Sequence, residues 1–393
     1  MLDLASHFSR FAGAEPDRIH LAAHSHHYWP DVTFAAQQLC WEEAALHADE
    51  KWGPIFAELL PAVQGSIARI LNLPDPATIA VAPNTHDFLR RLLSALPAGR
   101  PGRILTSDGE FHTLTRQIAR LEEDGLVAVE RVAVDPAATF PQRFHEACAR
   151  GGHDLVFVSH VFFNSGATSG PLDALIAAVR EPETLVVVDG YHGFMALPTD
   201  LSSVAHRIFY LAGGYKYAMA GEGACFMHCP PGYAPRPRDT GWYAAFGTLS
   251  ARQTGVRYSE DGMRFAGATF DPSGFYRMRA VFAWMAEIGL TVEAIHAHVL
   301  ALQEAFLAAL ERHAFAPLID ARLVTPVDTP QRGHFLTFET PGAAALHREL
   351  MERRIVTDVR GDRIRFGFGC YHAPADIERA FARLAGTPMK AAS

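Results

Sequence analysis

Lys216 is one of only three lysines among 35 basic side chains, the others being Lys51 and Lys390. It sits in AGGYKYAMAGEG, directly after the apolar run RIFYLAG. An amine packed among Gly, Ala and Tyr at the end of a strand loses solvation. Its pKa falls, and it becomes a nucleophile able to form an imine. Lys51 lies in the charged segment HADEKWG and Lys390 in the tail, so neither competes; the alternative for Lys216 is a solvated loop lysine. Asp189 ends the run TLVVVDG, whose unbroken apolar character reads as a strand buried on both faces. A carboxylate at such a tip is costly unless it has a partner, and either a turn cap or a ring nitrogen would serve. His192, three residues on, is placed to lie over a ring or to orient Asp189. In APNTHDFLRRLL, Asn84 and Thr85 stand where a side chain caps a helix, and the free N–H groups and dipole of a helix start suit a phosphate. Phe111, in SDGEFHTL, follows another strand and either stacks on an aromatic ring or joins the core. Together, an imine-forming lysine, a carboxylate for a pyridine nitrogen and a phosphate cradle match pyridoxal 5'-phosphate (PLP). The protonated ring of PLP is an electron sink for carbanions.

These residues need a scaffold that brings distant strand ends together. Seven short apolar or β-branched runs, TIAVAP, GRILTSD, VAVERVAV, HDLVFVSH, TLVVVDG, RIFYLAG and ACFMHCP, read as strands. Between them THDFLRRLLSAL, HTLTRQIARLEEDG and LDALIAAVREP place apolar residues at helical spacing. That alternation predicts a doubly wound α/β domain, in which ligands bind beyond the carboxyl ends of the strands. From about Asp271 the chain runs through two long helical stretches into GHFLTFET, a helix and RIRFGFG, which reads as a smaller α+β domain. The expected division is an N-terminal arm over 1–20, a large PLP-binding domain over 21–270 and a small C-terminal domain over 271–393. PPGYAPRPRD reads as a surface loop.

Composition excludes several classes of function. The net charge of -8 is spread along the chain, and no Lys/Arg stripe offers a track for nucleic acid. No apolar run is long enough to span a bilayer, and five scattered cysteines argue for reduced thiols, so a cytoplasmic protein without membrane or nucleic-acid partners is expected. His24, His26 and His27 in AHSHHYW suggest a metal, but no second cluster has zinc-like spacing. Cys225 and Cys229, four apart on a strand, would stand about 13 Å from each other, too far to share an ion. No metal site is expected. P-loop, G-x-G-x-x-G and G-x-S-x-G motifs are absent from the sequence.

The ordered set of residues resembles the fold-type I PLP enzymes of the aminotransferase class V group, and within it the kynureninases, from about Leu21 to about Ala380. Four segments carry the resemblance: SHVFFNSG (159–166), DGYHGFMALPTDL (189–201), YLAGGYKYAMAGEGACFMH (210–228) and IVTDVRGDRIRFGFGCYH (355–372). It implies a doubly wound, mostly parallel seven-stranded sheet with a smaller C-terminal α+β domain, and a homodimer whose active site lies at the interface. By the same resemblance Lys216 holds PLP as a Schiff base, Asp189 and His192 serve the ring nitrogen and ring face, and Phe111 stacks on the ring. Phosphate contacts are implied for Asn84, Thr85, Tyr215 and, reaching over from a second subunit, Trp242. Arg365 is implied for the substrate α-carboxylate, with Arg363 and Arg360 as rivals. Two departures fall where a side-chain pocket would form. RFAGATFDPSG (264–274) replaces an Asn-Pro-Pro type segment, and AAHSHHYW (22–29) replaces a Gly-Asn-Ser type segment, which places His24 and Ser25 beside the substrate. The expected activity is removal of the Cα proton of an amino acid through an external aldimine, then kynureninase-like hydrolytic Cβ–Cγ cleavage. Transamination and β-elimination or desulfuration are the enzymatic alternatives, and a PLP-fold sensor or scaffold is the non-enzymatic one. For desulfuration a persulfide carrier is needed, and Cys370 reads instead as a small packed hydrophobe.

Overall fold

The computed structural model describes residues 2–248 and 254–385, and Lys390 lies outside the described residues. Each of the seven apolar runs forms a strand: β1 (Ile79–Ala82), β2 (Gly102–Ser107), β3 (Val127–Val132), β4 (Leu155–Ser159), β5 (Leu185–Asp189), β6 (Ile208–Gly213) and β7 (Cys225–His228). They make one sheet in the order β1-β7-β6-β5-β4-β2-β3. Neighbours run parallel except at β7, which is antiparallel to both β1 and β6. Val186, Val187 and Val188 of β5 are fully buried, so that strand has no solvent face, as its unbroken apolar run requires.

Helices flank the sheet: α1 (Val32–His47) precedes it, and α2 (Thr85–Ser94), α3 (His112–Glu123), α4 (Phe140–Arg150) and α5 (Leu172–Ala178) cross between strands. α5 is shorter than the LDALIAAVREP pattern because Val179 is already extended, ahead of a proline that cannot continue a helix. Further on, α6 (Ser273–Glu287) and α7 (Val292–His313) lead into a second, antiparallel sheet of order β10-β11-β9-β8. Its strands are β8 (Arg322–Leu323), β9 (Phe335–Glu339), β10 (Asp358–Arg360) and β11 (Arg363–Gly367), accompanied by α8 (Ala343–Glu352) and α9 (Pro374–Ala385). β8 and β10 have two and three residues, too few for alternation to register in a sequence. Ile19 and His20 pair in parallel with Ile355 and Val356, which ties the N-terminal segment to the end of the chain. Among the described residues no single helix is long and apolar enough to cross a membrane.

Candidate active site

The carboxyl ends of β1, β2, β4, β5 and β6 converge on a cavity of about 260 Å³. Lys216, Asp189, His192, Asn84, Thr85, Phe111 and Tyr215 all line it. Lys216 follows β6 and is buried, with its Nζ 2.7 Å from Nε2 of His192, a distance at which the amine donates and a neutral ring nitrogen accepts. Burial pulls the Lys216 amine down to about 7, against the opposing pull of the Asp189 carboxylate. Burial and the neighbouring Lys216 hold His192 well below the usual histidine range, so its ring is neutral, and its Nδ1 has no hydrogen-bond partner among the described residues. The rings of Tyr191, Tyr215 and Phe111 surround Lys216 Nζ at 4.9, 5.5 and 5.6 Å from their centroids.

Asp189 is the last residue of β5. Its Oδ1 accepts from the Tyr191 N–H at 2.9 Å, and no side chain among the described residues donates to it. Burial raises its pKa, while that backbone bond and the Lys216 charge work the other way. The turn after it demands glycine at 190, where a Cβ would overlap the Tyr210 ring. Asn84 is the N-cap of α2: its backbone is extended and its Oδ1 accepts from Asp87 N–H at 2.9 Å, leaving the first turn of the helix facing the cavity beside Thr85. Phe111 packs edge-on to Phe163 at 5.4 Å, and both form part of the apolar wall.

The remaining predicted residues lie outside this cavity. Trp242 is 45% exposed and stacks on Tyr243 at 4.1 Å. Arg365 is buried behind Phe163, donating to the Phe163 carbonyl and pairing with Asp358, while its Nε is without a partner among the described residues. Arg363 binds Glu339 at 2.9 Å, and Arg360 pairs with Asp358 at 3.4 Å. His24 is fully buried, stacked on Phe335 at 4.8 Å with Nε2 3.7 Å from Asp358 and neither ring nitrogen hydrogen-bonded among the described residues. Ser25 is half-buried, its Oγ 3.5 Å from His26 Nδ1. The three histidines of the AHSHHYW segment diverge, His26 toward Tyr215 and His27 onto the Tyr28 carbonyl at 2.7 Å. Among the described residues no group of His, Cys, Asp or Glu could hold a metal ion.

Two acidic residues near the site have no signature in the sequence. Asp358 sits on β10 and neutralises Arg365. Glu110, adjacent to Phe111, is buried between Ser107 and Ser159. What the arrangement fits is PLP: a desolvated amine, a half-buried carboxylate that faces the same cavity without a side-chain donor among the described residues, a capped helix start and aromatic walls.

Comparison with known proteins bears on the same point. A family model described as the kynureninase C-terminal domain matches residues 295–384. Kynureninase of Burkholderia pseudomallei is 27% identical over 351 residues, 84% of this chain and 76% of that protein. Isopenicillin N epimerase of Streptomyces clavuligerus is 30% identical over 187 residues, and the match spans 44% of each chain, less than half of that relative. Among solved structures, the cystine C-S lyase C-DES in complex with cysteine persulfide superposes with a TM-score of 0.77 at 19% identity, covering 94% of this chain and 97% of the other. Cysteine desulfurase from Thermococcus onnurineus NA1 gives a TM-score of 0.76 at 16% identity, covering 94% of each chain. The chain is a fold-type I PLP enzyme. Within that class it is related to the kynureninases and the aminotransferase class V group.

Proposed function

We propose that this enzyme removes the Cα proton of an amino acid with Lys216 and then expels a sulfur-bearing β-substituent, a C–S lyase type of β-elimination. The observation that carries the proposal is the Lys216–His192 contact of 2.7 Å inside an apolar-walled cavity, where burial brings the amine to about 7. PLP, when bound, supplies the electron sink that makes a Cα carbanion accessible. The chain supplies the rest. Asp189 would face the ring nitrogen and hold a proton there. Asn84, Thr85 and Tyr215 would take the phosphate, and Phe111 would pack on the ring. Lys216 is the amine that anchors the cofactor; once free, it is the base at Cα. Neutral His192 accepts a hydrogen bond from Nζ and so turns the amine lone pair away from itself. Phe111, Phe163 and Leu114 exclude water from the reacting centre. Arg365 is assigned to the α-carboxylate, which must displace Asp358 from one edge of the guanidinium or use the unpartnered Nε, with His24 and Ser25 on the substrate side. As the Cα–H electrons form the Cα–Cβ double bond, the thiolate leaves with its electron pair. Water then releases pyruvate and ammonia.

Elimination is preferred because the segment that helps to hold the aromatic ketone in kynureninases is used here for structure. Arg264 donates to the carbonyls of Pro230, Asp261 and Tyr233 at 2.7, 2.7 and 3.1 Å, and Thr269 and Phe270 line a separate cavity of about 170 Å³. The structural neighbour described as a cystine C-S lyase supports the same branch. A desulfurase would need a mobile thiolate, whereas Cys370 is fully buried with its thiol pushed up to about 12 and Sγ 3.6 Å from Met219 Sδ. Kynureninase-type hydrolysis is the second reading, favoured by the match to kynureninase over 84% of the chain. A homodimer in the cytoplasm, with its five cysteines reduced, and a division near residue 270 complete the proposal.

The test begins with protein purified in the presence of PLP. A visible band of lysine-linked pyridoxal is expected, and Lys216→Ala should abolish both the band and all turnover. Cystine and kynurenine are then offered in turn. Pyruvate and ammonia from cystine support elimination; anthranilate with alanine from kynurenine would replace it by hydrolysis, and no band in the parent protein would overturn the cofactor role of Lys216.

A further inference from the structure

Glu110 is 3% exposed, yet nothing in the mechanism above uses it. Its carboxylate accepts from the Ser107 hydroxyl at 2.5 Å, the Ser159 hydroxyl at 2.6 Å and the Ser159 backbone N–H at 3.2 Å. Ser107 ends β2 and Ser159 ends β4, and Ser159 is in register with Asp189, the last residue of β5. The residue after Ser159 repeats the link, His160 N–H donating to the Asp189 carbonyl at 2.8 Å. One buried carboxylate thus joins the strand end that carries Phe111 to the strand end that abuts Asp189. A polar network of this kind is costly to bury and is worth its place only when every member is satisfied.

We propose that Glu110 is a positioning residue for Asp189, bolting the β2 and β4 tips together and supplying a second negative charge behind the carboxylate that faces the cofactor ring nitrogen. The inference rests on the reading of the cavity as a PLP site. Three donors aimed at one carboxylate favour its ionised form, while burial and the Asp189 charge oppose it, and the balance lifts Glu110 to about 7. The Asp189 charge is one of the two influences that lift Glu110, so Glu110 feels the repulsion between the two carboxylates. The other titratable groups around it do not cancel the coupling. His160, at the end of β4, is held neutral by burial, down to about 4. Asp108, on the same turn as Glu110, points away to the Val134 N–H at 2.8 Å. Lys216 lies beyond Asp189 and lowers that carboxyl rather than Glu110. Ionisation of Glu110 therefore raises the proton affinity of the position that Asp189 serves, as pH climbs through neutrality.

The test is a pH titration of the holoenzyme reconstituted with ring-15N-labelled PLP, read as the 15N chemical shift of the pyridine nitrogen and as the PLP dissociation constant. The expected result is a step in the shift near pH 7 in the parent protein, toward a more fully protonated nitrogen above it, and loss of that step in Glu110→Gln, whose amide cannot ionise. Ser159→Ala, which removes the 2.6 Å hydrogen bond, should keep the step and move it to higher pH; it also serves if Glu110→Gln does not fold. A purely structural role predicts lower thermal stability in both variants with the same 15N titration as the parent, and that result, or a parent protein without a step, would overturn the inference. If PLP leaves no lysine-linked band in any variant, the reading of the cavity falls and takes this inference with it.

Discussion

Desolvation, more than a neighbouring charge, prepares Lys216 for its work: burial brings the amine to about 7, and the nearest carboxylate, Asp189, pulls the other way. The sign has a consequence for cofactor capture. Below pH 7 the amine of the apoprotein is protonated and cannot attack an aldehyde; above it the lone pair is free. The rate of reconstitution of apoprotein with PLP should rise with pH through about 7 and level off well below the pH at which an exposed lysine would titrate. Stopped-flow absorbance at the imine band measures it, and a rate still climbing beyond pH 9 would show that Lys216 is solvated after all. Much of this was legible in the sequence, because Lys216 is one of only three lysines and both it and Asp189 stand at the ends of apolar runs that read as buried strands. Glu110 was not legible, since it lies 49 residues from Ser159 and meets it only through the pairing of β2 with β4. Asp358 escaped for a different reason: it lies seven residues from Arg365 and opposite it on the neighbouring antiparallel strand, and β10 is too short to be read from the sequence.

The elements carry these side chains to one place, and α2 shows how much rests on a single cap. Asn84 satisfies the Asp87 N–H and leaves the start of the helix open to the cavity. Asn84→Ala should cost about 1 kcal/mol of stability, the usual value of an N-cap, and weaken PLP retention as well. Asn84→Asp separates the two effects. Its carboxylate caps as well as the amide and interacts favourably with the helix dipole, so thermal stability should return, while its charge repels a phosphate and PLP should still dissociate faster. Thermal denaturation of the apoprotein and fluorescence titration with PLP give the two numbers, and equal PLP affinity in parent and Asn84→Asp proteins would remove the phosphate from this helix. Strand and helix existence followed from apolar runs and helical spacing, but the order of the sheet did not. The antiparallel β7 lies between β1 and β6, although five strands of sequence separate β1 from it, and that placement depends on long-range packing. β8 and β10 are too short to announce themselves, and α5 stops early at Val179.

At the scale of the whole molecule the unpartnered surface is the argument. On α1, Trp41 is 73% and Leu46 77% exposed, with Phe34 at 46%, and Trp242 and Phe246 stand out at 45% and 43% on a second patch. Single exposed apolar residues need no explanation, but three on one helix mark a surface meant to be covered. Trp242 adds a reason for choosing a second copy of the chain as the cover. It does not line the cavity of its own chain, so the phosphate contact implied for it by resemblance requires a partner subunit. Symmetric pairing would bury the same patch twice. Sedimentation equilibrium should therefore give twice the 43.0 kDa chain mass, and Trp41→Arg combined with Leu46→Glu should shift the protein to monomer with weaker PLP retention. Trp242→Ala tests the contact separately, because it should leave the dimer intact and still loosen the cofactor. A parent protein that sediments as a monomer and holds PLP fully would mean that each chain completes its own site, and Trp242 would then have no part in the chemistry.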